Sequence, residues 1–144
     1  MLGRLYENQK CSAARTLELV GERWSLLILR DAMFRHSTRF SQFQKSLGVA
    51  TNILAKRLEG FVAGGIMERR QSTASGEQAE YVLTDKGREL KPVVIALTEW
   101  GDKWVERGPV EFLSATDGQR VELKLRRVGD DTEVAIDDVF ARLR

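Results

Sequence analysis

The sequence has one cysteine, one histidine and two prolines among its 144 residues. The single thiol, Cys11, excludes an intramolecular disulfide framework. With one His, one Cys, no Gly-rich phosphate loop and no metal-ligand spacing, little is available for catalysis. The chain therefore reads as non-enzymatic, with no cofactor and no metal. Carboxylates are plentiful, but they sit on polar faces where solvation accounts for them. Long apolar runs are also missing. The longest strongly apolar run, LLIL at Leu26–Leu29, is far short of the roughly 20 residues a membrane-spanning helix needs. The opening MLGRLYENQK carries no apolar stretch of the signal-peptide kind. A cytoplasmic protein with no membrane partner is the expectation.

Apolar residues make up 42% of the chain and charged residues 31%, which suits a globular domain with a real core and a short appendage. Net charge is only +2, but it is unevenly spread. From Arg35 to Arg70 seven Lys/Arg face two Glu, an excess of +5; from Val110 to Arg144 six basic residues face eight acidic ones, −2. A basic middle in a near-neutral chain is the footprint of a polyanion-binding face.

The spacing predicts a helix starting after Ser12 as N-cap and ending at Gly21, with Leu17 and Val20 on its packed face. A second, apolar helix covers ERWSLLILRDAMF, with Trp24, Leu27, Ile28 and then Asp31–Ala32 along a largely buried stripe. After the polar connection RHSTR, Phe40, Phe43 and Leu47 mark one face of a third helix, which Gly48 ends. Ile53, Leu54, Leu58 and Phe61 make the apolar stripe of a fourth, and Ala63–Gly65 break it. The period then changes to two. IMERRQS and AEYVLT read as a hairpin joined by TASGEQ. Thr84 is an N-cap candidate for a long helix over DKGRELKPVVIALTEWGDKWVER, in which Pro92 predicts a kink or a frayed first turn. In the tail, RVELKLR alternates and can pair with Val134–Ile136 across VGDDTE as a second hairpin. No internal repeat is apparent.

Helix, tight turn, helix and hairpin is the order of a winged helix-turn-helix. The helix from Thr51 to Phe61 has an apolar side to seat it and an exposed side bearing Thr51, Asn52 and Lys56. Asn52 suits a bidentate pair with adenine, Lys56 a guanine or phosphate, and Thr51 a thymine methyl or phosphate. Arg57 lies nearer the apolar edge, where a phosphate or an intramolecular partner is expected. Arg69, Arg70 and Ser75 of the hairpin, with Arg39, Ser41 and Gln42 at the start of the preceding helix, complete the candidate DNA-binding set. His36 reads as a surface residue or a phosphate contact.

These segments resemble a known family. CSAARTLELVGERWSLLILRDAMF is similar to the opening of HxlR-type transcriptional regulators. RFSQFQKSLGVATNILAKRLEGFVAGGIMERR is similar to their helix-turn-helix and first wing strand, and YVLTDKGRELKPVVIALTEWGDKW to their second strand and dimer helix. The resemblance runs roughly from Cys11 to Trp104. It implies a bacterial homodimer that binds double-stranded operator DNA. The expected architecture is thus α+β: a winged helix-turn-helix with a long C-terminal dimerisation helix over residues 1–108, and an extension with an additional β-hairpin over 109–144. Two departures stand out. Gly60 replaces the larger, often charged residue of relatives, and the tail lacks the cysteine pairs that some relatives carry there, so no zinc is expected.

Leu97, Trp100 and Trp104 form a wide apolar stripe and, with Leu5, the candidate dimer interface. In several family members a cysteine at the place of Cys11 senses oxidants or electrophiles, which implies possible redox sensing here. A thiol just before a helix is also open to activation by the dipole. Trp24, Phe34 and Trp100 are candidates for the pocket of a small-molecule effector. The rival reading is a winged-helix protein-interaction module that does not bind DNA.

Overall fold

The computed structural model of the chain describes residues 5–73 and 76–144, and the statements below concern those residues. Helix α1 (Ser12–Val20) ends where Gly21 donates its N–H to the Leu17 carbonyl at 2.8 Å. A Cβ on Gly21 would lie 2.5 Å from that same oxygen, so only glycine closes the helix this tightly. Cys11, rather than Ser12, is the N-cap residue. Val20 is buried as expected, but Leu17 is 45% exposed and Leu19 packs on the core instead. In α2 (Ser25–Phe34) Ile28, Leu29 and Met33 are buried, whereas Leu27 is 40% exposed. At 3.6 residues per turn Leu27 falls about 100° away from Ile28, outside the buried sector.

Phe43 of α3 (Phe40–Leu47) is fully buried, with Phe40 and Leu47 packed beside it. Gly48 follows in the left-handed region at φ 64, which reverses the chain at no Cβ cost. Leu54, Leu58 and Phe61 bury one face of α4 (Thr51–Ala63), with Ile53 packed at its margin. Strands β1 (Met67–Arg70) and β2 (Glu80–Leu83) pair antiparallel, Met67 opposite Leu83 and Arg70 opposite Glu80. The connection before α3 joins this wing: Arg39 bridges Glu80, and the Tyr81 amide donates to the Thr38 carbonyl at 2.7 Å.

Thr84 caps the next helix by accepting from the Gly87 amide at 3.1 Å. The expected single long helix is two, α5 (Asp85–Arg88) and α6 (Lys91–Trp104). Pro92 has no N–H for the Arg88 carbonyl, so α5 stops before it. As the second residue of α6, Pro92 sits where a missing donor costs nothing.

The chain divides into two compact units, Met1–Val94 and Ile95–Arg144. The buried core, from Val20 to Val94, belongs to the first. No residue of the second is buried. The predicted C-terminal hairpin is reduced to a single bridge, Arg126 with Glu133, flanked by bonds from the Arg127 amide to the Thr132 carbonyl (2.8 Å) and from the Val134 amide to the Leu125 carbonyl (2.9 Å). No sheet covers Val121, Leu123 and Leu125, which stay exposed, and the Leu123 amide donates to the Glu99 carboxylate instead of a ladder.

The same turn occurs earlier: Leu113 bridges Arg120, with Ser114 N–H to Gln119 O and Val121 N–H to Phe112 O. The two turns are offset by 13 residues (126 − 113 and 133 − 120). In each an aspartate, Asp117 or Asp130, accepts from the amide two residues on, and the residue after it has positive φ. Arg127 also holds the Asp130 carboxyl at about 2, well below the ordinary aspartate value. The tail is therefore a structural repeat. Its sequence signal is faint because only the Asp and the closing Val (Val121, Val134) are shared.

Candidate nucleic-acid interface

The interface is set by how α3 holds α4. Gln44 Nε2 donates to Thr51 Oγ1 at 2.7 Å, fixing the start of α4. Underneath, Asp31 is fully buried and accepts from Ser46 Oγ (2.6 Å) and Arg30 Nε (2.9 Å), which ties α2 to the end of α3. With the apolar face of α4 in the core, Thr51, Asn52, Lys56 and Glu59 are left exposed. Asn52 and Lys56 have no hydrogen-bonded or ion-paired side-chain partner among the described residues, so their polar atoms are available to a ligand.

Other members of the expected set are engaged within the protein. Arg57 is only 12% exposed; it pairs with Glu22 at 2.5 Å and donates from Nε to the Arg23 carbonyl at 3.2 Å. Of the two roles its sequence position allowed, the structure shows the intramolecular one. Gln42 Oε1 accepts from the amides of Thr38 and Arg39, acting as the third-residue half of a capping box. Arg39 lies between Glu77 (3.8 Å) and Glu80 (4.0 Å), and Arg70 is 3.3 Å from Glu68. The wing is accordingly less basic than its Arg69–Arg70 pair suggests. Arg69 is exposed with no carboxylate partner among the described residues. Ser41 is exposed, its amide 3.4 Å from Gln78 Oε1. Ser75 lies outside the described residues. Sequence reasoning passed over Gln44, whose bond to Thr51 is a through-space one, and Lys45, an exposed cation of α3 with no ion-pair partner among the described residues. The signal for Lys45 was its place on the polar face of α3.

The profile of HxlR-like helix-turn-helix proteins matches residues 19–109. The chain belongs to the HxlR-like helix-turn-helix family. An uncharacterised HTH-type transcriptional regulator of Mycobacterium tuberculosis is 38% identical over 117 residues, covering 79% of this chain and 73% of that protein. The crystal structure of PA1607, assigned as a transcription factor, is similar at 41% identity with a TM-score of 0.81, covering 92% of this chain and 94% of PA1607. PA1374 from Pseudomonas aeruginosa, likewise assigned, is 32% identical with a TM-score of 0.65, covering 93% and 92%. These relatives are described as a transcriptional regulator and as transcription factors. The winged helix-turn-helix of the first unit is the fold they share.

The remaining candidates of this HxlR-like chain fall as follows. Leu97, Trp100 and Trp104 are 53%, 62% and 65% exposed, and Leu5 is exposed in the N-terminal arm, where the Leu5 and Tyr6 amides donate to Glu18. Cys11 is an exposed free thiol, and the amides of Ala14 and Ala13 pull its pKa below the ordinary thiol value. Trp24 and Phe34 are half-buried against the core, and Trp100 belongs to the second unit. A cleft of ≈ 300 Å³ is present in the first unit, but neither Trp24 nor Phe34 lines it. No helix is long and apolar enough to cross a membrane among the described residues.

Proposed function

We propose that the protein is a sequence-specific DNA-binding transcriptional regulator that acts as a homodimer on a pseudo-palindromic operator. The observation that carries this reading is the two-sided α4. Leu54, Leu58 and Phe61 anchor it in the core, while Asn52 and Lys56 stay exposed and uncommitted near its N-terminal end. That is the disposition a helix entering the major groove requires. Asn52 reads a base, Lys56 a base or phosphate, and Lys45 and Arg69 contact the backbone on either side. Residues 1–108 serve DNA binding and dimerisation, and residues 109–144 form an extension. The exposed stripe of Leu97, Trp100 and Trp104 supports pairing through α6. The exposed, activated thiol of Cys11 supports control by thiol modification, with a small effector as the second input.

The test is a protection footprint on the promoter fragments flanking the gene. Two protected half-sites spaced by about 34 Å or a multiple of it are expected. Asn52→Ala costs about 1–3 kcal/mol and relaxes preference at one base pair. Lys56→Ala weakens binding and, where the contact is to phosphate, lowers the log–log salt slope by about 0.9. Wild-type binding that is indifferent to salt, and unchanged in both variants, points instead to a winged helix that docks protein.

A further inference from the structure

The ≈ 300 Å³ cleft lies wholly in the first unit, between the end of α2, the loop to α3, strand β2 and the start of α6. Its body is apolar, with Met33, Tyr81 and Leu83 among the walls. Lys91, Arg88 and His36 are also among its lining residues, and no carboxylate lines it. Arg88 is already committed, donating to the Leu83 carbonyl at 2.8 Å and pairing with Asp85. Lys91 is exposed; its ammonium lies 5.4 Å from the Phe34 ring centroid and has no carboxylate partner among the described residues. His36 is held at φ 55, a left-handed conformation uncommon outside glycine, which persists where the surroundings enforce it. An apolar slot lined by a cation with no carboxylate partner among the described residues is complementary to one kind of guest.

We propose that this cleft binds a small organic anion, a carboxylate on an apolar body, with Lys91 as its counter-ion and Met33, Tyr81 and Leu83 against the body. The same residues explain how occupancy reaches the DNA-binding face. Tyr81 is in the wing and donates to the Thr38 carbonyl, while Ser37, beside Thr38, donates its amide to the carbonyl of the buried Asp31. A guest between β2 and this loop sets the wing against the helix-turn-helix. The site deepens the reading of effector control, and only its effect on DNA rests on that reading.

The experiment titrates benzoate, hexanoate and neutral benzamide into the full-length protein without DNA, followed by NMR of the Met and Leu methyls and Tyr ring. Saturable shifts at Met33, Tyr81 and Leu83 with at least one of the two acids, and none with benzamide, are expected. Lys91→Met weakens acid binding about tenfold, and Lys91→Arg restores it. Operator affinity then responds to the acid in wild type and not in Lys91→Met. The proposal is overturned if neither acid shifts these residues, if benzamide shifts them equally, or if Lys91→Met binds as wild type does. Shifts that follow protein rather than acid concentration overturn it too, because a second copy then covers the cleft. A protein that binds acid here yet protects no promoter loses the DNA reading and keeps the cleft; one that footprints without acid shifts does the reverse.

Discussion

Single glycines in this chain have opposite reasons for being there. Gly60 lies within α4, and a Cβ added to it meets nothing within 4 Å. Its negative φ and helical setting mean that alanine removes backbone entropy from the unfolded chain at no steric cost. Gly60→Ala is expected to raise stability by about 0.5–1 kcal/mol, seen as a higher urea midpoint with unchanged m. Gly87 is the converse. A Cβ there would stand 2.2 Å from the Ile66 carbonyl oxygen, where α5 presses on the end of the wing. Gly87→Ala is expected to cost about 1–3 kcal/mol in the same urea titration. If the two alanine variants shift the midpoint in the same direction, the packing described at one of these positions is wrong.

On the scale of elements, Arg57 is a scaffold cation to set against Arg69, a proposed phosphate contact. Arg57 joins α4 to the turn between α1 and α2 through Glu22 and the Arg23 carbonyl, beside Trp24 at φ 78. Arg57→Ala leaves Glu22 unpaired and is expected to destabilise the fold by about 2–3 kcal/mol. The log–log salt slope of DNA binding by the folded fraction should stay as in wild type. Arg69→Ala should do the opposite, sparing stability and lowering the slope by about 0.9. A slope change in Arg57→Ala would place that guanidinium on a phosphate after all.

The helix-turn-helix and wing were legible because local signals agree. The apolar period changes from 3.6 to 2 after Ala63, and Gly48 and Gly65 mark the turns with positive φ. What stayed hidden is through-space. The helical spacing already sets Asp31 on the buried stripe of α2, but nothing in the sequence names Ser46 as its partner or brings Glu77 and Glu80 to Arg39 from about forty residues away. Gln42 was readable, since a glutamine three residues after a helix N-cap is a capping signal; its exposed polarity invited the DNA reading instead. The break before Pro92 was half legible: proline marked the disturbance, but not that α5 would end ahead of it.

For the whole molecule, the decisive contrast is between a first unit with a continuous core and a second with no buried residue. The fifty residues from Ile95 to Arg144 (144 − 94), at most partly buried, gain little apolar burial to set against their ordering entropy. They nevertheless present Leu97, Trp100, Trp104 and, further on, Ile136 and Phe140 to solvent. Dimerisation as proposed above would supply the missing apolar surface, with the stripe of α6 as the two-fold contact. A dimer is therefore expected by light scattering at micromolar concentration. Trp100→Ala and Trp104→Ala should each weaken it by about 2 kcal/mol or more, as aromatic anchors at interface centres do. Tryptophan emission should shift to the red on dilution as Trp100 and Trp104 become wet, while half-buried Trp24 contributes a constant background. Operator affinity should fall with the dimer, since one recognition helix reads only half the site. A stable monomer with undiminished footprinting would sever dimerisation from DNA binding and leave the exposed stripe of α6 to another partner.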